Sequence, residues 1–106
     1  MYLPEIFKQF LENHREIADK FKEVGDLCSK SGQLDLKTQQ LIQLGIAIGA
    51  GSRGGVRSHV RRALEAGASK DDLSQATLLS ATIIGFPAMI AAYDWVHEVV
   101  SRIESK

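Results

Sequence analysis

The sequence has one cysteine, two prolines and no net charge. The single cysteine and the balanced charge restrict the classes of function that the protein can have. The single thiol, Cys28, cannot form an internal disulfide, which points to a reducing, cytoplasmic setting. The 13 basic and 13 acidic side chains cancel, so no overall field attracts the chain to nucleic acid or to a membrane surface. We therefore expect neither a nucleic-acid partner nor a membrane partner.

The sequence also lacks an uninterrupted apolar segment long enough to cross a membrane. Its most apolar stretch, Ala76–Val96, contains polar residues and is divided by Gly85 and Pro87, so we predict buried helices there. The first ten residues have neither the basic nor the apolar region of a signal peptide. A length of 106 residues fits one hydrophobic core, and we predict a single domain over residues 1–106.

Strand-like alternation is absent, and apolar residues recur with the period of an α-helix, which predicts an all-α fold. Asp35 and Ser69 are natural N-caps for two of the helices, and Gly67 is a natural C-cap. In the second helix an apolar stripe leads to Cys28, and we expect this stripe to be buried. Its members lie at spacings of four, three and four residues: Ile17, Phe21, Val24 and Cys28.

Small residues mark the third helix, and apolar residues mark the fifth. Gly45 and Gly49 each cost a helix about 1 kcal/mol relative to alanine, which predicts close packing of another helix against them.

The fifth helix, from Ser69 to Ile84, has almost no polar face. A helix that is apolar on nearly every side is buried on nearly every side. Because the chain is short, we expect a partner subunit to cover part of this helix.

A glycine-rich joint, residues 49–55, separates the third and fourth helices. His59 follows it by one turn, on the same face as Val56, Val60 and Ala63. A histidine titrates near neutral pH and is suited to acid–base catalysis. The alternative is a core histidine that is hydrogen-bonded to a backbone carbonyl or to Gln40. For Ser52, a hydroxyl that caps the joint is favoured over a nucleophile, since His59 lies nearly two turns away.

Three segments together resemble one known superfamily. They are GQLDLKT at residues 32–38, the run from His59 to Ser69, and GFPA at residues 85–88. Their order and spacing are similar to those of the carboxymuconolactone decarboxylase and alkylhydroperoxidase D-like (AhpD-like) superfamily. The resemblance implies an all-α AhpD-like domain of about six helices. We expect no cofactor, and no metal, since the spacing of His14 and His97 suggests no metal site. The resemblance also implies self-association into a homotrimer or homohexamer.

The best-understood chemistry of that superfamily uses a Cys-x-x-Cys pair with a glutamate and a histidine, because only a thiolate attacks peroxide or disulfide. By resemblance, the two cysteine positions fall on Ser52 and Gly55, the glutamate position on Gln40, and the histidine position on His59. A peroxidase that depends on Cys-x-x-Cys is therefore not expected. Cys28 lies elsewhere and has no second thiol, so it does not replace the pair.

The decarboxylase branch usually has an arginine and glutamates in the joint, and a tyrosine just before the Gly-x-Pro element. Here Ser52, Gly54, Gly55 and Ile83 stand at those places, so a strict carboxymuconolactone decarboxylase is not expected either. Arg53 lies one position from the expected arginine and could bind a substrate carboxylate. With Arg57 and Arg61 it could instead form part of a solvated face or a subunit interface.

Two functional hypotheses follow, and a third is weaker. In the first, the protein is a decarboxylase-like lyase or a related enzyme that acts on a small carboxylate or lactone, with His59 as acid and base. In the second, it is a non-catalytic oligomeric binding or structural protein on the AhpD-like scaffold. The third is a residual antioxidant role of the alkylhydroperoxidase or peroxiredoxin type.

Overall fold

The computed structural model describes residues 4–104, and these residues form helices and connecting turns without a strand. The seven helical segments are α1 (Glu5–Asn13), α2 (Arg15–Ser29), α3 (Leu36–Gly49), α4 (Arg53–Glu65), α5 (Lys70–Leu79), α6 (Ala81–Ile84) and α7 (Phe86–Glu104). Because α6 is a single turn of four residues, the prediction of an all-α fold with about six helices is confirmed.

Backbone contacts divide the chain into two compact units, one ending at Gln33 and the other beginning at Leu34. The single domain over residues 1–106 therefore stays a prediction. The first unit contains α1 and α2, and the described residues of these two helices include no buried side chain. The expected burial of the α2 stripe is wrong: Phe21 is 73% exposed and Cys28 is exposed. Two short amphipathic helices have too little surface to enclose such a stripe between them.

Side-chain caps fix where the helices of the second unit begin. Asp35 accepts a hydrogen bond from the Thr38 backbone N–H at 2.8 Å and starts α3. At the start of α5, Ser69 and Asp72 form a reciprocal capping box. Backbone N–H donors stabilise both carboxylates, so the pKa of Asp35 and the pKa of Asp72 lie below the ordinary value. Gly67 ends the preceding segment at φ 98°, as a left-handed cap requires.

The core of the second unit lies around α4, which packs against α3 and α7. Its largest apolar side chains that are essentially inaccessible to solvent are Leu44, Val56, Val60 and Leu73. The α7 helix adds a buried stripe of Met89, Ala92, Val96 and Val99. This core holds the middle of α3 and α4 in place, and with it the residues of the candidate site.

The fifth helix differs from its prediction in length and in burial. It ends at Leu79, and α6 follows after Ser80, whose hydroxyl donates to the Thr77 carbonyl at 2.6 Å. Leu79 is 65% exposed and Ile83 is 84% exposed, so this chain by itself does not bury the segment on nearly every side. No helix within residues 4–104 has the length and apolar character needed to cross a membrane.

Candidate functional site

The joint between α3 and α4 is a tight turn closed by Ser52. Gly51 has a φ of 68°, a left-handed conformation that glycine adopts without strain. Ser52 is the N-cap of α4, and its Oγ accepts from the Gly55 backbone N–H at 3.0 Å. The hydroxyl thus caps a helix, as the sequence favoured. Gly55 and His59 follow one turn apart, so they share a face of α4.

His59 is held by the preceding helix. Its Nδ1 lies 2.8 Å from Gln40 Oε1. Because an amide oxygen can only accept, Nδ1 carries the proton, and the neutral ring has its lone pair on Nε2. The hydrogen bond to Gln40 that was considered from the sequence is therefore present, and it fixes both the tautomer and the direction of the ring.

The second ring nitrogen, Nε2, is not sealed in the core. His59 is half-buried, and the bond to Gln40 is the hydrogen bond that its ring makes to the described part of the chain. Within that same part, no buried side-chain nitrogen or oxygen lacks a partner. An unbonded Nε2 must therefore have some contact with solvent.

The surroundings of His59 disfavour its positive charge. Partial burial lowers the pKa of the imidazole, and the nearby Arg62 guanidinium lowers it further. The side chain opposite Nδ1 is an amide that offers no compensating negative charge. At neutral pH the ring is therefore uncharged, which is the form that accepts a proton.

Gly55, which stands at one of the two cysteine positions of the superfamily pattern, is crowded by its neighbours. A β-carbon added at Gly55 would lie 2.8 Å from Ser52 Oγ and 3.2 Å from the β-carbon of Ala47. The first contact is shorter than van der Waals separation, and the second is with a side chain that cannot rotate away. A thiol at position 55 would therefore displace the α4 cap as well as press on α3.

Arg53 is already bonded to a carboxylate of this chain. Its Nη2 donates to both oxygens of Glu98, at 2.8 and 3.1 Å, and Arg57 Nη2 lies 3.2 Å from Glu98 Oε2. These contacts connect α4 to α7. The third member of the arginine series, Arg61, is buried rather than part of a solvated face. Whether Arg53 binds a substrate carboxylate stays a prediction.

A groove of about 500 Å³ lies between α3, α5 and α6. Its lining includes Thr38, Gly45 and Gly49 of α3 but not His59. On a helical wheel, Gln40 lies about half a turn away from these residues. A pocket of α3 and α4 was the expectation, whereas this groove is on the opposite face of α3 from His59. The expected close packing at Gly45 and Gly49 is wrong within this chain, because an added β-carbon at either position would meet nothing within 4 Å.

The sequence analysis singled out the α3 glycines but predicted close packing against them, whereas they line an open groove. Spacing alone shows that Gly45 and Gly49 share a face, and it cannot show whether a neighbour fills the space beside them.

Metal binding gains no support from the side chains: among residues 4–104, no three His, Cys, Asp or Glu side chains are grouped so as to bind an ion together.

Comparison with known proteins agrees with the helical architecture. No curated protein matches the sequence. A solved structure, that of an apo carboxymuconolactone decarboxylase family protein from Legionella pneumophila, is similar in fold with a TM-score of 0.76 at 20% identity. The similarity covers 90% of this chain and 85% of that one. The family model for the carboxymuconolactone decarboxylase family matches residues 15–98. The chain therefore belongs to the carboxymuconolactone decarboxylase family.

Proposed function

We propose that the protein is an enzyme that moves a proton on a small carboxylate or lactone, with His59 as the acid and base. The observation that carries the proposal is the arrangement of His59: Nδ1–H is held by Gln40 at 2.8 Å, and Nε2 is neither bonded within the described residues nor fully buried. A fixed tautomer with one free nitrogen is what a general base needs.

The chemistry follows from the neutral ring. Nε2 takes a proton from an acidic carbon beside a carbonyl group, and the imidazolium then donates that proton to another position or back to the same one. Throughout the cycle, Gln40 Oε1 accepts from Nδ1–H, so the ring does not rotate. The low pKa of His59 keeps the ring in its accepting form at neutral pH.

Arg53 is the proposed ligand for the substrate carboxylate. In support, its side chain is 54% exposed, and its guanidinium already binds the carboxylate of Glu98. A substrate would bind by displacing or sharing that contact, with Arg57 remaining on Glu98. Replacing Arg53 by glutamine should therefore raise KM and leave kcat nearly unchanged, because such a contact binds ground state and transition state alike.

The test is exchange of carbon-bound hydrogen for deuterium in small lactones and keto acids, followed by proton NMR in heavy water. Wild type should catalyse the exchange, and His59→Gln should lose it. His97→Gln is the matched control, since His97 is exposed on α7, and it should behave as wild type. A thermal-shift screen with the same compounds reports binding separately. Exchange by His59→Gln at the wild-type rate would refute the assignment.

The non-catalytic hypothesis makes the opposite prediction from the same experiment. A binding protein would show thermal shifts with one class of compound and no exchange with any of them. The residual antioxidant hypothesis depends on Cys28, which is the single thiol of the sequence. It predicts peroxide consumption that Cys28→Ser abolishes and that His59→Gln leaves unchanged.

We also propose that copies of the chain associate, as a homotrimer or homohexamer, in the cytoplasm. The support for association is a set of exposed apolar side chains: Phe86, Ile90 and Tyr93 on α7 and Leu78 on α5. The single cysteine is in keeping with a reducing compartment. Sedimentation velocity should give the mass of three or six chains, and Ile90→Glu should reduce it. A mass of one chain at high concentration would contradict association.

A further inference from the structure

Arg62 is the charged residue next to His59 on α4. It follows His59 by three positions, so the two side chains share a face of the helix, about one turn apart. Side chains of an α-helix lean toward its N-terminus, which directs Arg62 back toward the imidazole. The guanidinium is near enough for its charge to act on the ring: burial lowers the pKa of His59, and Arg62 lowers it further.

The guanidinium of Arg62 is not engaged by the protein itself. Arg62 is exposed, and its side chain forms neither an ion pair nor a hydrogen bond within the described part of the chain. Arg53 and Arg57 of the same helix, by contrast, both contact the carboxylate of Glu98. Arg62 can therefore bind an incoming negative charge without breaking an existing contact.

Proton removal by His59 creates such a charge. As Nε2 takes the proton from a carbon beside a carbonyl group, the electron pair of the C–H bond moves onto the carbonyl oxygen and an enolate forms. Gln40 is occupied at Nδ1, on the other side of the ring, so it does not serve this oxygen. A cation beside the oxygen stabilises the enolate more than the uncharged carbonyl, and that difference accelerates the reaction.

Arg53 is badly placed for this task. It lies six positions before His59, which is about 9 Å along the helix axis. Its side chain leans toward the N-terminus of α4, away from His59, and Glu98 binds it there. Arg53 can hold a remote carboxylate of a substrate, but the oxygen next to the reacting carbon needs a residue that leans toward His59.

We propose that Arg62 is a second catalytic residue, which binds the enolate oxygen formed when His59 removes a proton from a ketone or lactone substrate. This role rests on the acid–base function proposed for His59 and narrows its substrate class. A carboxylate alone is a poor substrate, because proton removal beside it would place a second negative charge on the same group. One proton moves from carbon to Nε2 and then returns to carbon, so the reaction needs no oxidant or reductant.

The first arm of the test is kinetic. Hydrogen exchange of α-angelica lactone, which is uncharged until it loses a proton, is followed by NMR in heavy water, with the uncatalysed rate subtracted. Arg62→Gln should lower kcat and kcat/KM together by about 100-fold, the order of loss for one oxyanion ligand. Arg62→Lys keeps the charge and should recover part of that loss. Arg15→Gln is the matched control, since Arg15 is also exposed and unpaired within the described residues, and it should behave as wild type.

The second arm needs no turnover. Oxalate, a stable planar analogue of a keto-acid enolate, is titrated into the same proteins, with the NMR signals of the His59 ring and of Arg62 Nε–H as readouts. Wild type and Arg15→Gln should bind oxalate with shifts at both residues, and Arg62→Gln should bind about tenfold more weakly. Because Arg62 is exposed, its replacement should leave the urea midpoint near that of wild type, so weaker binding would not reflect unfolding.

The outcomes separate this proposal from the one on which it rests. Wild-type kinetics in Arg62→Gln would show a solvated guanidinium, and a rise in KM alone would show a ligand of the ground state. Either result overturns the catalytic role of Arg62 and leaves the role of His59 standing. Absence of exchange in wild type would refute both roles, and oxalate binding that still depended on Arg62 would then assign the site to a non-catalytic binding protein.

Discussion

The two faces of α3 belong to one helix but have opposite environments. One face presents Leu44 and Ala47 to α4 and holds Gln40 against His59. The other presents Gly45, Ile46 and Gly49 to an open groove. The difference shows that helical periodicity identifies which residues share a face, whereas the neighbour across that face decides what the residues do. Three pairs of substitutions and one pH dependence test this contrast, beginning with the largest expected effect.

The first pair compares leucine and isoleucine on the two faces. Leu44 is completely buried, and Ile46 is 65% exposed. Leu44→Ala should lower the free energy of unfolding by about 2–5 kcal/mol, through lost burial and the cavity left behind. Ile46→Ala should cost less than about 1 kcal/mol, because little of its surface leaves water on folding. Urea denaturation measures both. Similar losses in the two variants would mean that something covers Ile46 in solution, whether a ligand or another subunit.

The second pair compares two glycines, and the expected changes differ in sign. Gly55→Ala should lower the free energy of unfolding by about 1–3 kcal/mol, because the added methyl is forced against Ser52 and Ala47. Gly45→Ala should raise it by up to about 1 kcal/mol, since the methyl meets nothing and alanine favours the helix. Both are measured by thermal or urea unfolding. A loss of stability in Gly45→Ala would show that the groove face is closely packed after all.

These pairs also show which features of the fold and of the candidate site could be predicted from the sequence alone. The caps at Asp35 and Ser69 and the apolar period of α4 are local signals, and they placed the helices and His59 correctly. The contact between Gln40 and His59 was one of the alternatives that the sequence offered for this histidine, and the structure contains it. The groove could not be, since an empty space beside Gly45 depends on the path of α5. Likewise, the exposure of Cys28 depends on how little surface α1 can bring to α2.

The third pair compares two glutamines of α3. Gln40→Ala removes the acceptor from His59 Nδ1–H, which leaves a half-buried donor unpaired and should cost about 1 kcal/mol. Gln43 is exposed, so Gln43→Ala should stay within about 0.5 kcal/mol of wild type. Urea unfolding gives the free energies, and the histidine ring nitrogens can be followed by NMR. If Gln40→Ala left the tautomer of His59 unchanged, the amide would not be what orients the ring.

The smallest expected effect is the pH dependence that His59 contributes. In the folded state burial and Arg62 lower its pKa below the ordinary value of 6.5, and on unfolding the ring returns to about 6.5. The unfolded state then binds more protons, so stability is complete above about pH 6.5 and decreases as the pH falls through 6.5 toward the folded-state pKa. The urea midpoint should therefore be lower at pH 5 than at pH 8, and by a smaller margin in His59→Gln.

The change in urea midpoint with pH is compared between wild type and His59→Gln, and the difference separates the contribution of His59 from that of the carboxylates, which titrate at lower pH. An NMR titration of the His59 ring measures its pKa directly. A ring pKa at or above 6.5 would contradict the uncharged environment described here. It would mean that a negative charge faces the imidazole in solution, as a glutamate at position 40 would provide. The Gln40→Glu variant makes that comparison explicit: its carboxylate should raise the pKa of His59, reverse the sign of the pH dependence and convert a neutral base into a charged acid. The residue at position 40 thus determines whether the imidazole of His59 is stabilised in its neutral or its charged form.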